Sequence, residues 1–119
     1  MKNYHIGIEV TMEIISGKWK PLLLCYIQTG INRNGQFLKV IPEISQKVLS
    51  EQLRQLEQDG IISRHVFAEV PPHVEYELTE QGQSLTHVLM ELCNWGEGHL
   101  QDLQAMGTPV KLEQKLKQL

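Results

Sequence analysis

The chain has 119 residues, 41% hydrophobic and 21% charged, which is enough for one domain around one core and excludes wholesale disorder. No apolar run approaches the ~18 residues of a membrane span, Met1-Lys2-Asn3-Tyr4-His5 lacks the apolar core of a signal peptide, and Cys25 and Cys93 form no Cys-x-x-Cys pair; a reduced, cytoplasmic protein without a disulfide scaffold is expected. The net charge of −3 is uneven: residues 1–65 hold eight Lys/Arg against six Asp/Glu and residues 66–119 hold three against eight, so the front is slightly basic and could dock one surface on phosphate.

In chain order, Val10, Met12, Ile14 and Ile15 predict a short first helix broken at Ser16-Gly17. A second helix is expected over about 18–29, with Pro21 in its first turn and Gly30 as its stop. Asn34 is placed to cap a short third helix that Pro42 ends. Ser45 is placed to cap a fourth, reaching about Asp59, with Leu49, Leu53 and Leu56 recurring at i, i+4, i+7 and Gly60 as its stop. Two helices joined by the few residues around Pro42-Glu43-Ile44 form a helix-turn-helix.

The period then changes from helical to alternating. One strand is expected over 62–70, and Val74, Tyr76 and Leu78 alternate with Glu75 and Glu77 in a second, with Pro71-Pro72-His73 between them. A two-stranded ribbon directly after a helix-turn-helix is a wing. Thr79 would cap a long helix over 80–105, whose apolar side holds Leu85, Val88, Leu89, Leu92, Trp95, Leu100 and Leu103. Such a helix is ~39 Å long at 1.5 Å per residue, more than one copy of so small a domain can cover. A homodimer through Leu85, Val88, Leu89, Leu92, Trp95 and Leu103 is therefore expected.

The outward face of the fourth helix offers Gln46, Lys47, Ser50, Glu51 and Arg54. Gln can pair bidentately with adenine, and Arg and Lys can pair with guanine or phosphate. A solvated face would look the same, and the helix-turn-helix with its wing tips the reading toward DNA. His87, Cys93 and His99 follow each other at six-residue spacing, which rotates successive members out of line by roughly 120°; no metal site or cofactor is expected. Trp19 reads as an apolar packing residue and Cys25 as a small core hydrophobe.

Five linked segments resemble the HxlR-type regulators: Ser16-Gly17-Lys18-Trp19-Lys20, Ile44 to Leu49, Gln52 to Gly60, Glu69 to Thr79, and Cys93-Asn94-Trp95-Gly96. The resemblance covers about residues 6 to 104. It implies a bacterial homodimer whose terminal helices form the interface and whose fourth helix reads DNA. Many such proteins carry Cys-Pro-Val-Glu near the N-terminus, and in some that cysteine senses oxidants or electrophiles. Here the matching segment is Ile6-Gly7-Ile8-Glu9, with no thiol. The wing position often held by Arg is His73, and the family's Arg-Phe pair is Arg33-Asn34.

The expectation is thus an α+β, mainly α fold: a winged helix-turn-helix over residues 1–106, with a two-stranded β wing and terminal dimerisation helices, and a tail over 107–119 that forms a short helix or frays. Double-stranded DNA, as an inverted-repeat operator, would be met by Arg33, Ser45, Gln46, Lys47, Ser50, Arg54 and His73. The protein is expected to be a regulator rather than an enzyme, and a small-molecule inducer stays open. The alternative is a winged helix used for protein–protein contact, which the acidic net charge favours and the polar face of the fourth helix opposes.

Overall fold

Capping and stop signals set the elements of the computed structural model, which describes residues 1–114 and 116. Helix α1 spans Gly7–Ile14, and the Glu9 carboxylate in its first turn accepts from the amides of His5 and Ile6. Helix α2 runs Trp19–Gln28 and stops where Gly30 takes φ +105°, a left-handed backbone that L side chains rarely adopt. Helix α3 is Asn34–Val40 and α4 is Gln46–Gln58. Strands β1 (Ile62–Phe67) and β2 (His73–Leu78) pair antiparallel, from Ile62 opposite Leu78 to Phe67 opposite His73. Helix α5 spans Glu80–Ala105. Among the described residues this makes five helices and one two-stranded ribbon, the winged helix expected from the sequence.

Three boundaries differ from the sequence reading. Arg33, not Asn34, holds the extended cap position of α3, and the Gln36 side chain reaches back to accept from the amides of Asn32 (2.9 Å) and Arg33 (3.1 Å). The first strand ends at Phe67 rather than Val70, and His73 opens β2 rather than lying in the turn. No helix follows Ala105 in the described part of the tail. Instead Gln114 accepts a hydrogen bond from the Tyr26 hydroxyl at 2.7 Å and donates to the Val40 carbonyl at 3.1 Å, and Leu116 packs on the core; Leu119 lies outside the described residues.

The core is where the helical stripes converge. Leu23 and Leu24 of α2, Phe37 of α3, and Leu49, Leu53 and Leu56 of α4 are fully buried, joined by Ile62 and Leu78 of the wing and Leu89 of α5. The wing is fastened at its base in two ways. The Tyr76 amide donates to the Asn32 carbonyl at 2.9 Å, just before α3. Thr79 accepts from the Gly82 amide at 3.1 Å, capping α5, while its own hydroxyl donates to the Gly60 carbonyl at 2.6 Å. No helix among the described residues is long and apolar enough to cross a membrane.

Candidate nucleic-acid interface

Helix α4 owes its orientation to its leucines. Leu49, Leu53 and Leu56 are drawn into the core, so the opposite side must face solvent, and Gln46, Lys47, Ser50, Glu51 and Arg54 are all exposed there. Ser45 is occupied as a cap, its hydroxyl accepting from the Val48 amide at 3.1 Å. Gln46, Ser50 and Arg54 succeed one another at four-residue spacing and form one row. The Gln46 amide donates to the Ser50 hydroxyl at 2.9 Å, so the two polar ends are held together near the start of the helix.

Arg54 is not a bare cation. It forks onto Glu51, Nε to Oε2 at 3.0 Å and a terminal nitrogen to Oε1 at 2.6 Å. That pair, with a further bond from Gln55, holds the Glu51 carboxyl down at about 2. Arg33 and His73 are brought together by another acid. The Glu75 carboxylate lies 2.9 Å from His73 Nε2 and accepts from Arg33 at 3.0 Å, and these two partners hold it below the usual carboxylate range. Glu69 stands 3.5 Å from the other ring nitrogen of His73, whose ring stacks on Phe67. Three of the residues expected to meet DNA, Arg33, Arg54 and His73, are therefore each matched to a glutamate, and Lys47 is exposed.

The apolar candidates on α5 divide in two. Leu89, read from the sequence as a dimer contact, is 4% exposed and belongs to the protomer's own core, because α5 crosses α2 there; Leu85 is partly buried against the same core. Leu103 is half-buried. Val88, Leu92 and Trp95 project from the protomer, Leu92 at 59% and Trp95 at 69% exposure, with Trp95 stacked on His99. Ile8, Val10 and Met12 of α1 are bare as well, although the sequence reading named no residue of this helix as a dimer contact. Their spacing of two in a helix of eight residues hides any one-sided stripe.

Arg64 was also missed. It lies on β1 and lines a cavity of about 380 Å³ with Asn34, Ser50, Arg54 and Glu57. The antiparallel register places it opposite Tyr76, but only the fold shows that this face of the ribbon turns toward α4.

A family model for HxlR-like helix-turn-helix proteins matches residues 14–104. The chain is 48% identical over 99 residues to the uncharacterised HTH-type transcriptional regulator YtcD of Bacillus subtilis, covering 83% of this chain and 79% of that protein. To YkvN of the same organism it is 45% identical over 107 residues, 90% of this chain and 91% of the relative. Among solved structures, that of YtcD matches with TM-score 0.73 at 46% identity, over 79% of this chain and 96% of that one. The redox regulator HypR in its reduced form matches with TM-score 0.74 at 40% identity, over 82% and 97%. The chain belongs to the HxlR-like helix-turn-helix family of transcriptional regulators, MarR-like winged-helix proteins.

Proposed function

We propose that the protein is a homodimeric regulator that binds a specific double-stranded DNA sequence, with α4 in the major groove and the wing on the backbone. One observation carries the reading: α4 is anchored by its leucines and presents the Gln46–Ser50 pair and Lys47 to solvent at its N-terminal end, the end that meets base edges in helix-turn-helix proteins. Gln46 offers an amide that suits base edges and Ser50 a hydroxyl that suits either base or phosphate, whereas Arg33, Arg54 and His73 lie farther out, where phosphate is the partner. The Glu51 and Glu75 pairs refine this. Arg54 or Arg33 reaches a phosphate only by exchanging its carboxylate for it, so each contributes less net attraction than a free guanidinium.

The uncovered apolar residues support the dimer. Val88, Leu92 and Trp95 of α5 and Ile8, Val10 and Met12 of α1 are too many exposed hydrophobic side chains for a lone small domain, and a second copy related by a two-fold axis would cover them. Such a dimer presents two α4 helices to one side of a duplex, with half-sites ~34–36 Å apart or a multiple of it. A protein of this kind would work where the chromosome is, in the cytoplasm. Gel shifts and footprints on the promoters of neighbouring genes test the reading. A symmetric footprint over an inverted repeat is the expected result, and protection of one unsymmetrical half-site, or of none, contradicts it.

A further inference from the structure

Arg64 departs from the polarity of the row in which it stands on the wing. Successive side chains of a strand point to opposite faces, so Ile62, Arg64 and Val66 share one face and lie across from Leu78, Tyr76 and Val74. Ile62, Tyr76 and Leu78 are core residues and Val74 packs against them, which makes this the inward face of the ribbon. An arginine in that row gives up the packing an apolar residue would provide, and such local inconsistencies mark functional positions. The outward row differs: His65 stands 3.3 Å from Glu77, and His73 and Glu75 are paired with each other.

The chain has three arginines, and two of them are tied to carboxylates, Arg33 to Glu75 and Arg54 to Glu51. Arg64 is exposed and has no carboxylate or hydrogen-bond partner among the described residues. It lies in the wall of the 380 Å³ groove between α4 and the wing. Ser50, on the facing wall, already accepts from Gln46, so its own proton is left to donate. Arg54 lines the groove with its fork occupied by Glu51, and Glu57 is the acidic residue of the lining. The groove thus offers the uncommitted Arg64 guanidinium and the free Ser50 hydroxyl proton beside the start of α4.

We propose that this groove seats a backbone phosphate of duplex DNA flanking the site of α4, with Arg64 as its principal donor and Ser50 as the second. The proposal rests on the DNA-binding reading and adds a residue to it. A guanidinium fork matches two phosphate oxygens, and one held in advance by no carboxylate gains the full counterion-release benefit on contact. Arg64 is therefore a stronger holding contact than Arg54, although Arg54 sits on the reading helix itself.

The test is a titration of wild type, Arg64→Gln, Arg64→Lys and Glu57→Gln on an operator duplex and a random duplex at several salt concentrations. With one contact per protomer, Arg64→Gln should flatten the slope of log affinity against log salt by about 1.8 and weaken both duplexes alike, on the order of fifty-fold at 0.1 M salt. Arg64→Lys should recover the slope. Glu57→Gln removes the opposing charge without touching Arg64 and should tighten both duplexes, which keeps the test informative if the first variant folds poorly. An unchanged slope in a folded Arg64→Gln protein, a loss confined to the operator, or no gain from Glu57→Gln overturns the phosphate site while leaving the DNA-binding reading standing. Failure of the wild type to bind any duplex overturns both.

Discussion

Leu92→Asp puts a charge in the middle of the proposed dimer face, and the structure narrows what it should do. Leu92 is 59% exposed in the protomer and is no part of its core, so the substitution should leave the helices and wing intact. Fully burying a leucine stabilises by about 1.5–3 kcal/mol, so covering this exposed fraction contributes roughly 1–2 kcal/mol per copy and roughly 2–4 kcal/mol across a two-fold interface. Losing that alone raises the dissociation constant about thirty-fold to a thousandfold. Two carboxylates facing a closed apolar seam add a further penalty unless they protonate. Light scattering and sedimentation over a micromolar concentration range, with far-ultraviolet circular dichroism as a fold control, should show a wild-type dimer and a folded monomeric variant. A well-folded wild-type monomer, or a variant that stays dimeric, would refute the reasoning.

Other expectations follow from single contacts. A Cβ on Gly82 would sit 2.0 Å from the Ile61 carbonyl oxygen, so Gly82→Ala must push α5 away from the wing base; a loss of about 2–4 kcal/mol and a fall in Tm of at least ~10 °C are expected, and an unchanged melt would contradict the packing. Glu51 has a depressed carboxyl in the folded protein, so its pairing with Arg54 stabilises above the unfolded value near 4.5 and is lost as pH falls toward about 2. Glu51→Gln should therefore flatten the acid limb of stability against pH, and an identical limb would exclude the pair as a contributor. Burial pushes the Cys25 thiol up to about 11 and the half-buried Cys93 thiol up as well, so neither is a ready thiolate at neutral pH. With Ile6 at the N-terminal position discussed above, diamide or peroxide should leave DNA binding unchanged; loss of binding that a Cys93→Ser variant resists would place sensing on α5.

What was legible in the sequence was local. The Leu49, Leu53, Leu56 spacing, the Ser45 cap and the Gly60 stop define α4 without reference to the rest of the chain, and Thr79 defines the start of α5 in the same way. Where two adjacent polar residues could serve, as at Arg33-Asn34, the cap was displaced by one position, because the deciding bond comes from Gln36 reaching back. The division of α5 was not legible. Leu89 and Leu92 share one helical stripe, and only the crossing of α2 decides that the first is core and the second bare. Nor could the chain order reveal that Glu75 lies against Arg33, 42 residues away, or that Arg64 faces α4. Those are the contacts that separate a free cation from a paired one.

The central claim is that α4 reads base edges through Gln46. Gln46→Ala removes the amide that donates to Ser50 and would pair with a base, while leaving the buried leucines, the Ser45 cap and every cation in place. Titration of wild type and variant on the operator and on random DNA of equal length is the direct measurement. The account predicts a loss of about 1–3 kcal/mol on the operator, almost none on random DNA, and an unaltered salt slope. An equal loss on both duplexes, or no loss on the operator, would contradict it.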